Sequence, residues 1–135
     1  MSRLSAFLNP VPAQQEKEVV ISDRFVDENG NVVPFKIRAL TQEENEALVK
    51  RSRHMRRIDG QWQEKLDNME LSRRTVVAAT VEPDFSSQEM CDAYGVLDPL
   101  MVPGKMLLSG EYARLMQEIT DLSGFDADIG EEAKN

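Results

Sequence analysis

A chain of 135 residues suits a single domain with one modest core. Hydrophobic residues make up 41%, a little under the usual globular share, so part of the chain is expected to lie outside that core. One cysteine, Cys91, excludes an internal disulfide and fits a reducing compartment, while no apolar run approaches the roughly 20 residues that cross a bilayer.

The net charge of −8 is unevenly spread. Residues 1–70 carry 11 Lys/Arg against 12 Asp/Glu, and residues 71–135 carry 5 against 12. An acidic half repels phosphate backbones, which disfavours nucleic acid as its partner.

In chain order, residues 1–16 hold Pro10 and Pro12 and predict an extended arm, with Leu4, Phe7 and Leu8 available to dock. Two alternating runs follow. Val19, Ile21 and Phe25 share one face, and Val33, Phe35, Ile37 and Ala39 alternate with Pro34, Lys36 and Arg38. Asn29-Gly30 between them supplies the positive φ of a tight turn, so residues 17–40 predict a β-hairpin. Pro34 cannot donate a ladder hydrogen bond and is expected on an edge.

Thr41 with Glu44 forms a capping box and opens a helix over about 41–57, with Ala47, Leu48, Met55 and Ile58 as its apolar stripe. Asp59-Gly60 breaks it. A second helix is expected over about 63–81, carried by Trp62, Leu66, Met69, Val76 and Val77, and stopped by Pro83. A short helix spans 86–94, capped by Gly95. Residues 98–108 are a turn-and-helix stretch broken by Pro99, Pro103 and Gly104. Ser109 opens an amphipathic helix over 109–123, with Tyr112, Leu115, Met116, Ile119 and Leu122 inward. The acidic residues from 126 to 135 predict disorder. The fold class is α+β: one small domain over 17–125, an N-terminal β-hairpin packed with four to five helices.

The residues that carry chemistry are sparse. His54 lies among the cations of residues 50–57, and Cys91 has no local partner motif, so neither reads as half of a nucleophilic pair. One Cys and one His cannot make a zinc site. Residues 23–31 suggest a calcium loop but lack its 12-residue spacing and closing Glu, and a hairpin turn explains them better. The scattered glycines make no phosphate-binding loop. The composition therefore predicts a binding protein without catalytic, cofactor-binding or metal-binding residues. The basic run at residues 50–57, with Lys50, Arg53 and Arg57 on one helix face, is the candidate for nucleic acid. It lacks interleaved aromatics, and a solvated helix end accounts for it.

The methionines are more suggestive, because flexible thioethers re-pack around varied apolar partners. Met69 and Met116 read as core filler, whereas Met101 and Met106 lie in the Pro/Gly-broken segment where a groove can form.

Two blocks are distinctive together. One runs from Arg24-Phe25-Val26-Asp27-Glu28-Asn29-Gly30-Asn31 through Pro34-Phe35-Lys36-Ile37-Arg38-Ala39-Leu40-Thr41 to Glu43-Glu44-Asn45-Glu46. The other holds Tyr94-Gly95-Val96, Met106-Leu107-Leu108-Ser109-Gly110-Glu111-Tyr112 and Leu122-Ser123-Gly124-Phe125-Asp126. With Leu4-Ser5-Ala6-Phe7-Leu8 in front, the chain resembles the XkdN-like tail assembly chaperone family of phages and defective prophages of Gram-positive bacteria. The resemblance covers nearly the whole chain and is weakest over residues 55–70.

It implies a protein that binds the long, helical tape measure protein in the host bacterial cytoplasm before the tail tube forms, and is absent from the mature virion. It also implies, in a longer frameshifted form with a junction near Asp126, a second segment that recruits the tail tube protein. It carries over no catalytic residues. Helix-in-groove docking is the expected mode. The client groove is expected between the last helix (Tyr112, Leu115, Met116) and the segment holding Leu100, Met101, Met106 and Leu107, with the hairpin edge second. A structural tail or baseplate component and a small nucleic-acid-binding regulator are the competing readings.

Overall fold

The structure, a computed structural model, describes residues 3–124, so the disorder expected from residue 126 lies outside the described residues. Its fold is α+β. Helix α1 (Leu4–Leu8) precedes β1 (Glu16–Val19), β2 (Phe35–Arg38) and α2 (Gln42–Arg51). Then come β3 (Arg53–Ile58), β4 (Gln61–Leu66), α3 (Asn68–Ala79), β5 (Thr80–Glu82) and α4 (Gln88–Tyr94). A 3-10 turn at Pro99–Met101 leads into α5 (Val102–Met106) and α6 (Ser109–Leu122).

The main sheet has the order β1-β2-β5, and both pairings are antiparallel. Its centre is β2, where the period-two pattern decides which side is wet: Phe35 and Ile37 are buried, and Lys36 and Arg38 are half-buried. Helices α3 and α6 pack beside this sheet. Val76, Ala79, Leu115 and Ile119 join Phe35, Ile37, Phe85 and Val102 in one core. Phe35 sits between two aromatic neighbours, with ring centroids 5.5 Å from Phe25 and 6.5 Å from Phe85.

Local signals set the helix starts. Thr41 accepts the Glu44 N–H at 3.1 Å, and Glu44 accepts the Thr41 N–H at 3.1 Å, completing the capping box. Asp67 caps α3 through the Glu70 N–H at 3.0 Å, and Ser87 caps α4 through the Met90 N–H at 3.3 Å. Gly95 ends α4 at φ +66°, a left-handed conformation that glycine takes without strain.

Four segments differ from the sequence reading. The helix expected over 41–57 stops at Arg51, where the buried Ser52 turns its hydroxyl back onto the Leu48 carbonyl at 2.9 Å. Residues 53–66 then form a β-ribbon whose two-residue turn, Asp59-Gly60, has φ of 52° and 79°. Met55 and Trp62 therefore lie on strands and are 58% and 65% exposed, and Met69 at the start of α3 is 66% exposed instead of filling the core. Lys50 ends on α2 while Arg53 and Arg57 stand on β3, so they share no helix face.

Second, α3 ends at Ala79 and Thr80-Val81-Glu82 is extended: the residue before Pro83 is barred from helical geometry, and β-branched neighbours favour a strand. Third, Asn29-Gly30 turns only a small loop, bridged at Val26 and Val32, while β1 pairs with β2 from Glu16 onward. Pro34 therefore stands one residue before the central strand and not on an edge strand. Fourth, part of the arm is helical, at Leu4–Leu8, and β1 begins at Glu16.

Two ion pairs fix loops to helix starts. Arg24 Nε donates to Glu111 Oε2 at 2.9 Å, and Arg38 reaches Glu44 at 2.7 Å. The Arg24 guanidinium, helped by Ser22 and the Leu108 N–H, holds the Glu111 carboxyl at about 2. Arg38 and the Thr41 N–H hold Glu44 at about 2 as well. Both carboxyls are more acidic folded than unfolded. Their contribution is complete above their ordinary value of 4.5 and is lost as pH falls toward 2. Circular dichroism melts between pH 5 and about 2 should show this loss, and Glu111→Gln should remove its share of the pH dependence; an unchanged slope would refute the Arg24–Glu111 account. Phe85→Ala, at a fully buried ring, should cost about 3–5 kcal/mol in urea unfolding. Trp62→Ser on the exposed ribbon should change stability by less than about 0.5 kcal/mol.

Candidate functional site

Helix flanks that border the core line an open groove of about 440 Å³, with the core residue Ile119 at its base. Three helices make its walls. From α3 come Asn68, Leu71, Ser72 and Thr75, and from α6 come Met116, Ile119 and Thr120, with Ser123 just beyond. Each set follows the i, i+3, i+4, i+7 spacing that puts residues on one helical face. The start of α2 adds Leu40, Thr41, Gln42 and Asn45. The Leu40 N–H donates to Ser123 Oγ at 3.0 Å, tying the entrance of α2 to the end of α6.

The chemistry of this lining is unusual for the chain. Charged residues make up 30% of the sequence, yet none lines the groove. Its apolar surface comes from Leu40, Leu71, Met116 and Ile119, and neutral hydroxyls and amides make up the rest. Several hydroxyls are spent within the fold: Thr75 donates to the Leu71 carbonyl at 2.7 Å and Thr120 to the Met116 carbonyl at 2.8 Å. A lining of this kind suits an apolar helix presented from outside, and it offers no group to move a proton or hold an ion.

An adjoining depression, about 400 Å³, shares Asn68 and Ser72 with the groove and adds Met69, Arg73, Gly104 and Tyr112. The Ser72 and Tyr112 hydroxyls meet at 2.6 Å, a strut between α3 and α6 where the two hollows join. The hollow thus extends along α6 from Tyr112 to Ser123, uncharged except for Arg73 beside its Tyr112 end.

The seven residues singled out from the sequence do not converge. Tyr112 and Met116 lie along this face. Leu115 and Leu107 are core residues, 0% and 9% exposed. Met106 borders a separate cleft with Phe25, Val33 and Pro34, and Leu100 lines another with Leu48 and Arg74. Met101 is exposed on the 3-10 turn. Sequence reasoning missed the α3 wall. Leu71 and Thr75 lie on the flank of α3 that adjoins the buried face of Val76 and Ala79, so spacing alone does not separate wall from core.

Elsewhere, the ribbon carries Arg53, Arg56, Arg57 and Lys65 in the open. His54 bonds Glu70 at 2.9 Å, which lowers the Glu70 carboxyl, and Arg56 lies 3.9 Å from Asp67. Cys91 is buried in the core. Among the described residues no group of His, Cys, Asp and Glu side chains is placed to hold a metal ion, and no helix is long and apolar enough to cross a membrane.

The chain is similar to known proteins in sequence and, for one of them, in fold. Two proteins of Bacillus subtilis (strain 168) align over 126 residues, 90% of this chain and 85% of each relative. They are the uncharacterized protein YqbN, 39% identical, and the phage-like element PBSX protein XkdN, 36% identical. The crystal structure of the protein YqbN matches with a TM-score of 0.76 at 35% identity, covering 93% of this chain and 99% of that one. The family model for the phage XkdN-like tail assembly chaperone protein matches residues 4–134. The chain belongs to the phage XkdN-like tail assembly chaperone family.

Proposed function

We propose that this chaperone holds the tape measure protein in the host cytoplasm until the tail tube forms around it, and then leaves. The observation that carries the reading is the uncharged apolar groove between α2, α3 and α6 in a strongly acidic chain. A long helical client is insoluble because it exposes an apolar stripe. A groove without charges covers that stripe with no cost of desolvating ions, while the acidic surface keeps the pair in solution. The client helix lies against Tyr112 and Met116 on α6 and against Leu71 and Thr75 on α3, and Leu107 and Leu115 hold those positions from the core beneath. The role is binding without chemistry of its own. A longer frameshifted form would use its added segment to recruit the tail tube protein.

Co-expression with the cognate tape measure protein should move that protein into the soluble fraction, and unchanged solubility refutes the reading. Asn45→Arg with Thr75→Arg puts two charges into the groove and should reduce pull-down at least tenfold while the circular dichroism spectrum stays the same. Met106→Asp serves as the comparison. Binding lost through Met106→Asp and kept through the groove pair would assign the client to the cleft beside Phe25. Purified phage particles should lack the protein by mass spectrometry.

A further inference from the structure

We infer that, in the absence of client, the groove receives the N-terminal arm of a second copy of this chain, so that two copies exchange arms. The arm and the groove match in chemistry. Residues 4–15 contain no charged side chain, although 30% of the chain is charged, and the groove lining contains none either. Burying one against the other desolvates no ion. The arm also offers apolar surface that its own chain leaves in water: Phe7 is 78% exposed, Leu8 67% and Val11 92%. Helix α1 has five residues and no side-chain cap at its start, far short of the roughly 12–15 residues an isolated helix needs, so a binding surface is what would sustain it.

The geometry favours a second copy over the arm's own body. The arm is rooted at the groove's rim, because the Gln15 carbonyl accepts the Ala39 N–H at 2.8 Å and the next residue, Leu40, is groove wall. Between α1 and that root lie residues 9–15, with Pro10 and Pro12 and no helix or strand. Proline fixes φ and favours extended chain, about 3.1 Å per residue, so the linker spans about 20 Å. The α6 wall from Met116 to Ser123 is only about 10 Å long at 1.5 Å per residue. A stiff linker twice that length is too long to seat Phe7 and Leu8 in the groove of its own chain, and no described residue of the arm lines it. Each copy has one arm and one groove, so reciprocal exchange closes as a twofold dimer. Only the competition between arm and client rests on the proposed function; the dimer itself is testable without a client.

Sedimentation velocity of the full chain at tens of micromolar should show a dimer. Phe7→Asp with Leu8→Asp should shift it to monomer with an unchanged circular dichroism spectrum, since both side chains are exposed. Trans occupancy is read by mixing a Leu8→Cys chain with an Asn45→Cys chain under mild oxidation. A disulfide-linked heterodimer is expected, with the parent chain and its buried Cys91 as the control. A monomeric parent chain, or a dimer that survives the arm substitutions, overturns the inference. So does a chain carrying both cysteines that closes on itself, which would assign the groove to the arm of the same chain. These failures leave the client reading intact, because co-expression does not depend on the dimer.

Discussion

The rest of the structure depends on covering one short strand. Ile37 and Phe35 on β2 are 0% and 3% exposed, and β2 has hydrogen-bonded neighbours on both edges. Its inner face can stay dry only if two helices lie side by side against it. Helix α3 is held there by its direct run into β5, with Thr80 Oγ1 closing on the Val76 carbonyl at 2.7 Å. Helix α6 is held by Arg24 at its start, by Lys17 on Glu118 at 3.2 Å along its length, and by Leu40 at its end. With both helices pinned from below, their upper faces keep a set separation, and the groove is the space that α2 leaves unfilled.

Charge is arranged around that space and not in it. The ion pairs of Glu44, Glu70 and Glu111 stand at helix starts, that of Glu70 with Arg74 lying within α3, and partial exposure makes each a modest contribution to stability. The groove keeps only side chains that can meet another apolar surface without leaving an ion unpaired. The result is an uncharged hollow set in a body of net charge −8.

Much of the architecture was legible in the sequence because it was written in strong local signals. The Thr41–Glu44 box, the Phe35/Ile37 alternation, Gly95 after α4 and the stripe on α6 each correspond to the element they predict. The β3–β4 ribbon was not, because its strands are wet on both faces and lack alternation; Asp59-Gly60 breaks a helical pattern and is equally a strong hairpin signal. The site was legible only in its α6 half. Tyr112 and Met116 follow from the stripe, but Leu115 of the same stripe and Leu107 of the segment before it turn out to be core. The α3 wall needed the third dimension, since Leu71 and Thr75 face α6 across 45 residues of chain.

The ribbon at residues 53–66 has a further consequence. It joins the body through the Asp67 N–H on the Ser52 carbonyl at 2.8 Å and through the exposed pairs of His54 and Arg56, and it contributes no residue to the core. Its ladder therefore opens as a local unit, well below the free energy of global unfolding. Mutational drift there is filtered by nothing in the core or the groove. The ribbon is the part of this fold whose sequence and length can change without touching the core or the lining of the groove.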